Sequence, residues 1–101
     1  MAVSSSVSSD GREVTIQVSG RFDFSQHQAF RTVCNSISVA VQKFVVDLGG
    51  TDYVDSSALG MLLVLRDKVG EKKENVKIVK AKPEVKKILE IANFDKLFLV
   101  A

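Results

Sequence analysis

The chain has 101 residues, 46% hydrophobic and 26% charged, which is the profile of one globular domain and not of a disordered or fibrous chain. No apolar run approaches the roughly 18 residues needed to cross a bilayer, and a net charge of +2 gives no ground for nucleic-acid binding. The single cysteine, Cys34, excludes an internal disulfide.

The serine-rich start lacks a basic region followed by an apolar stretch, so no signal peptide and no membrane insertion are expected. A reduced compartment fits the lone cysteine, and the cytoplasm is the expected location. Charge is uneven. Residues 1–65 hold four basic and six acidic side chains, whereas 66–87 hold nine basic and four acidic. A solvated helix and strand surface accounts for the basic half more simply than an anion site does.

Residues 1–9 read as a flexible tail or an edge strand, within one domain spanning 1–101. Asp10-Gly11 is a turn dipeptide, and a hairpin through it is expected. Val14, Ile16 and Val18 alternate with polar residues, the period-two pattern of a half-buried strand, which Gly20 is expected to end. Ser25 offers a helix cap, with Gln28 three residues on to complete a capping box. Phe30, Val33, Cys34, Ile37 and Val41 then recur at helical spacing. Cys34 reads as a small core residue.

Phe44 to Leu48 is a short apolar run that suits a covered strand. A loop is expected from Gly49 to Asp55, and then a helix from Asp55-Ser56-Ser57 to about Val69, stopped by Gly70. Val76, Ile78 and Val79 make a further strand. Pro83 opens a third helix with Val85, Ile88, Leu89 and Ala92 on one face, which Asn93 terminates. Leu97 to Val100 closes the chain as a strand. The alternation predicts an α/β domain with a mixed, mostly parallel sheet of four or five strands.

The informative segment is Val45 to Gly60, a strand, a loop and a helix start. Such a turn aims backbone N–H groups and the positive helix end outward. Ser56 or Ser57 can cap the helix, and Asp55 is the alternative cap. Ala58, Met61, Leu62, Leu65 and Val69 suffice to face the sheet, which leaves Leu59, Leu63 and Val64 over. Leu59, Gly60 and Leu63 lie three, four and seven residues beyond Ser56 and share its side of the helix. A serine beside an apolar patch is suited to docking with a charge switch, because a phosphate adds about −1.5 to −2 charges. Asp52 and Asp55 would oppose that added charge.

At these residues the chain resembles the STAS domains, in particular the bacterial anti-sigma-factor antagonists. Asp55-Ser56-Ser57-Ala58-Leu59-Gly60 is similar to their signature. Gly20-Arg21-Phe22-Asp23 resembles an early turn motif, and the stretch from Ile91 to Phe98 a closing segment. The resemblance implies a phosphoacceptor at Ser56, with Ser57 and Thr51 as lesser alternatives. It also implies a partner-binding face with Asp23, Asp52, Asp55, Ser57, Leu59, Gly60 and Leu63. The implied partners are a protein serine kinase, often itself an anti-sigma factor, and an opposing PP2C-type phosphatase, met by a monomer that forms hetero-complexes. Arg21 stands where the family usually has an acid, and Ala58 where it usually has glycine. The chain also ends soon after its last strand, without a final helix.

An enzyme is not expected. His27, the one histidine, falls on the polar side of the first helix, and no phosphate loop, metal-ligand spacing or general base for Ser56 is evident. No cofactor is expected. Asp47 ends a strand as a receiver-domain aspartate would, but the acidic pair a receiver needs is missing. The rival reading is a STAS subunit of an ABC-type lipid transporter, binding the ATPase through the same face without a phospho-switch.

Overall fold

A computed structural model of the chain describes residues 2–35, 43–69 and 75–101. Five strands lie in one sheet in their sequence order. The first, β1 (Ala2–Val7), pairs antiparallel with β2 (Glu13–Phe22). Next come helix α1 (His27–Asn35), β3 (Lys43–Val54), α2 (Ser56–Lys68), β4 (Val76–Val79), α3 (Pro83–Ile91) and β5 (Leu99–Val100). All pairings after the first are parallel. The expected mixed α/β sheet is therefore present, with five strands.

The start of the chain is an edge strand and not a loose tail. Val3 lies opposite Val18 and Val7 opposite Val14. The hairpin turn is held by Asp10, whose Oδ1 accepts from the Ser8 hydroxyl at 2.6 Å and from the Arg12 N–H at 3.0 Å. Gly11 takes a left-handed φ of +74° there, as a turn glycine can at no steric cost.

One face of the sheet is buried. The parallel register sets Val14 beside Phe44 and Ile16 beside Val46, and then Phe44 beside Val76 and Val46 beside Ile78. Because strand side chains alternate, Thr15, Gln17, Val45, Asp47 and Lys77 point the other way and stay half-buried or exposed. The helices complete the core with Phe30 and Cys34, with Ala58, Met61, Leu62 and Leu65, and with Val85 and Leu89. Burial raises the Cys34 thiol pKa to about 11 although Lys68 is near, so it is an inert core thiol. The Ile37, Val41 and Gly70 expectations lie outside the described residues.

Three local expectations change. Gly20 does not end β2, which continues to Phe22 through register shifts at Gln17/Ser19 and Gly20/Arg21. Gly20 accommodates the irregularity at φ +80°. The expected loop from Gly49 to Asp55 is mostly strand, because β2 stays alongside and pairs Gly20 with Thr51, Arg21 with Tyr53 and Phe22 with Val54. Ser25 does not cap α1. Asp23 instead caps a short 3-10 turn, Phe24–Gln26, that leads into the helix, and Ser25 donates to it.

The two ends of α3 fall as expected. Pro83 is the first residue of α3, where its missing N–H costs nothing. Asn93 turns the chain at φ +61°, and a short turn at Phe94–Lys96 precedes a last strand of two residues, shorter than the expected Leu97–Val100. Arg66 of α2 donates from Nε to the Leu97 carbonyl at 3.3 Å and ties that helix to the closing segment.

Thr51 fastens the irregular stretch. It is fully buried, and its hydroxyl donates to the Val18 carbonyl at 2.7 Å. Thr51→Val keeps the shape but leaves that carbonyl without the hydroxyl. Urea unfolding should show a loss of about 1–3 kcal/mol, the cost of a buried polar group deprived of its partner.

Candidate functional site

The site forms where the β2–β3 pairing runs out. After Phe22 and Val54 pair, the Asp55 N–H donates to the Phe22 carbonyl at 3.3 Å. Asp55 remains extended, with φ −107° and ψ −178°, and α2 begins at Ser56. Its carboxylate turns back and accepts from the Ala58 N–H at 2.9 Å, which is an N-cap bond. Of the alternatives open from sequence, the cap is thus Asp55 and neither serine.

That assignment changes what Ser56 is for. It is exposed at the first position of α2, and its hydroxyl has no hydrogen-bond partner among the described residues. Ser57 is half-buried. Thr51 is enclosed and bonded to Val18, so it offers no hydroxyl to an outside enzyme. The structure therefore brings Ser56 and Ser57 to the surface at a positive helix end and leaves Thr51 inside.

Each of the three expected acids is engaged. Asp23 accepts from the Ser25 hydroxyl at 2.5 Å, the Ser25 N–H at 3.0 Å and Arg21 Nε at 3.4 Å. The Ser25 hydroxyl foremost, with its N–H and Arg21, holds the Asp23 carboxyl below the usual carboxylate range. Asp52 pairs with Lys82, at the entrance to α3. Asp55 is committed to the cap.

Apolar side chains follow the serine along α2. Leu63 is 37% exposed and Val64 59%, whereas Leu59 is half-buried and packs on the core. Gly60 is open on the surface of the same helix. Sequence reading missed Phe24, the most exposed aromatic, at 70%. Its ring stacks on His27 at 5.7 Å, and its short turn packs against α2. It also missed the role of Tyr53, over whose ring the Arg21 guanidinium lies at 4.3 Å. Both aromatics lie in irregular stretches where periodicity says nothing; only their proximity to Asp23 and Asp55 could have marked them.

Among the described residues no group of three metal-ligating side chains converges, and no helix is long and apolar enough to cross a membrane. The arrangement offers an exposed hydroxyl and helix N–H groups at a helix start, on a helix with partly exposed apolar side chains.

These features are those of a STAS domain, in which a helix start follows the end of two interior, parallel strands. The family model described as Mlab, STAS domain matches residues 5–101, and the chain belongs to that family. A STAS-domain containing protein of Pseudomonas aeruginosa strain UCBPP-PA14 is 46% identical over 101 residues, covering all of both chains. In fold, the chain is similar to the anti-sigma factor antagonist SpoIIAA in its unphosphorylated form. The TM-score is 0.76 at 16% identity, over 99% of this chain and 87% of that one. It is also similar to the Bacillus cell fate determinant SpoIIAA in the phosphorylated form. There the TM-score is 0.68 at 15% identity, over 99% of this chain and 91% of the other.

The cap assignment has a measurable consequence. Asp55→Ala should lower stability by about 0.5–2 kcal/mol in urea unfolding, the cost of a lost N-cap. Ser56→Ala should stay within about 0.5 kcal/mol of the parent, as surface substitutions usually do. The reverse order would make Ser56 the cap.

Proposed function

We propose that this chain is a phosphorylation-controlled binding protein of the anti-sigma-factor-antagonist type. The unphosphorylated domain docks a regulatory protein through the start of α2, and phosphate on Ser56 prevents docking. One observation carries the reading. Asp55 caps the helix, so Ser56 has an exposed hydroxyl with no capping duty, on a helix that two turns later exposes part of Leu63.

The electrostatics support the same outcome. The helix end favours an anion at Ser56. Asp55, whose carboxylate stays on Ala58, lies next to it in the chain and repels one. Phosphorylation therefore places a hydrated dianion on a surface that a partner must dry to bind, and the desolvation cost falls on the complex. Asp23, Asp52, Ser57, Leu59, Gly60 and Leu63 contribute to the docking face, with Phe24 and Tyr53 added. The partners this reading calls for are a protein serine kinase of the anti-sigma type and a PP2C-type phosphatase. The domain itself binds and does not catalyse, and it works in the cytoplasm as a monomer that forms hetero-complexes. A fold relative known in unphosphorylated and phosphorylated forms is consistent with a switch of this kind.

A second reading is supported by the matching family model, whose description names Mlab. In it the same face docks the ATPase of a lipid transporter and Ser56 is never modified.

The test uses the partner recovered with the unphosphorylated protein. Ser56→Asp should weaken binding at least ~30-fold in titration calorimetry, about 2 kcal/mol, and Ser56→Ala should bind as the parent does. Equal binding by both variants would defeat the switch.

A further inference from the structure

A groove of about 560 Å³ runs between α1 and α2, next to Ser57. Phe30 and Met61, both buried, form its floor, and the exposed Phe24 and Val64 form its walls. Arg31 and Lys68 stand on it, both exposed, and the Lys68 ammonium donates to Asn35 Oδ1 at 2.7 Å, bridging the helices. No carboxylate is among the described residues that line the groove. Asp23, Asp52 and Asp55 of the docking face are not among those residues.

Gly60 adds an independent observation. It sits inside α2 and lines the groove. A Cβ built there would meet nothing within 4 Å among the described residues. Packing within the fold gives no reason for glycine, which weakens a helix relative to alanine. A missing side chain on an open helix face lets another backbone come close.

We propose that this groove receives an amphipathic helix of the partner protein, with its apolar stripe on Phe24, Phe30, Met61 and Val64 and with Asp or Glu beside that stripe facing Arg31 and Lys68. The proposal rests on the reading that this face docks a protein, and it adds the chemistry of what is docked. An apolar floor with a cationic border fits an acidic amphipathic helix. The close approach at Gly60 suits a helix backbone better than a flexible acyl chain. Charge at the border sets encounter rate and selectivity, and the buried apolar anchors set residence time.

The experiment is a display selection on the purified full chain with a library of 16-residue helix-forming peptides. Enriched peptides should carry apolar residues at i, i+3 or i+4 and i+7, with Asp or Glu beside them. Arg31→Glu with Lys68→Glu should weaken the best peptide at least ~10-fold in fluorescence anisotropy, about 1.4 kcal/mol. Gly60→Ala should keep or raise the melting temperature and still weaken that peptide, which separates lost docking from lost folding. Enrichment of basic or neutral peptides, or indifference to the charge reversal, would overturn the proposal. So would sodium dodecanoate shifting the Cys34, Gly60 and Val64 amide signals while no peptide is enriched, which would make the occupant a fatty acid. Acidic peptides that bind Ser56→Asp as well as the parent would keep the groove assignment and count against the phospho-switch. No acidic enrichment, with Ser56→Asp still rejecting the recovered partner, would do the opposite.

Discussion

The parallel pairing of β2 with β3 is the constraint on which the rest depends. It is carried past two irregularities to the pair Phe22 and Val54, and only then does the chain turn. Asp55 is held at that point by its N–H on the Phe22 carbonyl, and its carboxylate is free to cap α2. Strand, cap and helix are thus one continuous device. Loosening the strand end would move the carboxylate off the Ala58 N–H, and a serine could then take over the cap. Thr51, bonded to Val18 at the start of this stretch, keeps the irregular region from slipping.

Division of labour among three neighbouring residues follows. Asp55 spends its charge on the helix start, Ala58 packs into the core, and Ser56 between them has neither duty. A helix N-terminus tolerates an anion, so modification of Ser56 need not unfold the domain. The same anion conflicts with a docked apolar surface. On this account the switch leaves the fold alone and changes only what the surface can bury. Arg21, between Asp23 and the Tyr53 ring, places a cation at the same end of the sheet.

Much of the fold could be read from the sequence because its elements carry strong periodic signals. Val14, Ile16 and Val18 announce a half-buried strand, and Pro83 with Val85 and Leu89 announces a helix. The stretch from Gly49 to Val54 could not be read, since glycines and acids look like a loop, and its strand character comes from a partner strand distant in sequence. The same reason hid the cap of the first helix, because Asp23 acts through a 3-10 turn that has no apolar period. Asp55 was visible as one of three possible caps, and only the folded geometry decides between its carboxylate and the two serine hydroxyls. The α1–α2 groove was beyond reach, since it exists only once Phe30 and Met61 are brought together from different helices. Phe24 was passed over because an aromatic in a turn carries no periodic mark.

The most direct measurement is mass spectrometry of the intact protein and its peptides, isolated from the cells that make it, before and after phosphatase treatment. The account predicts one phosphate, on the peptide containing Ser56 and assigned to that residue, which the treatment removes. Protein without phosphate under every growth condition, while it still binds its partner, would contradict the switch and leave Ser56 as an unmodified docking residue.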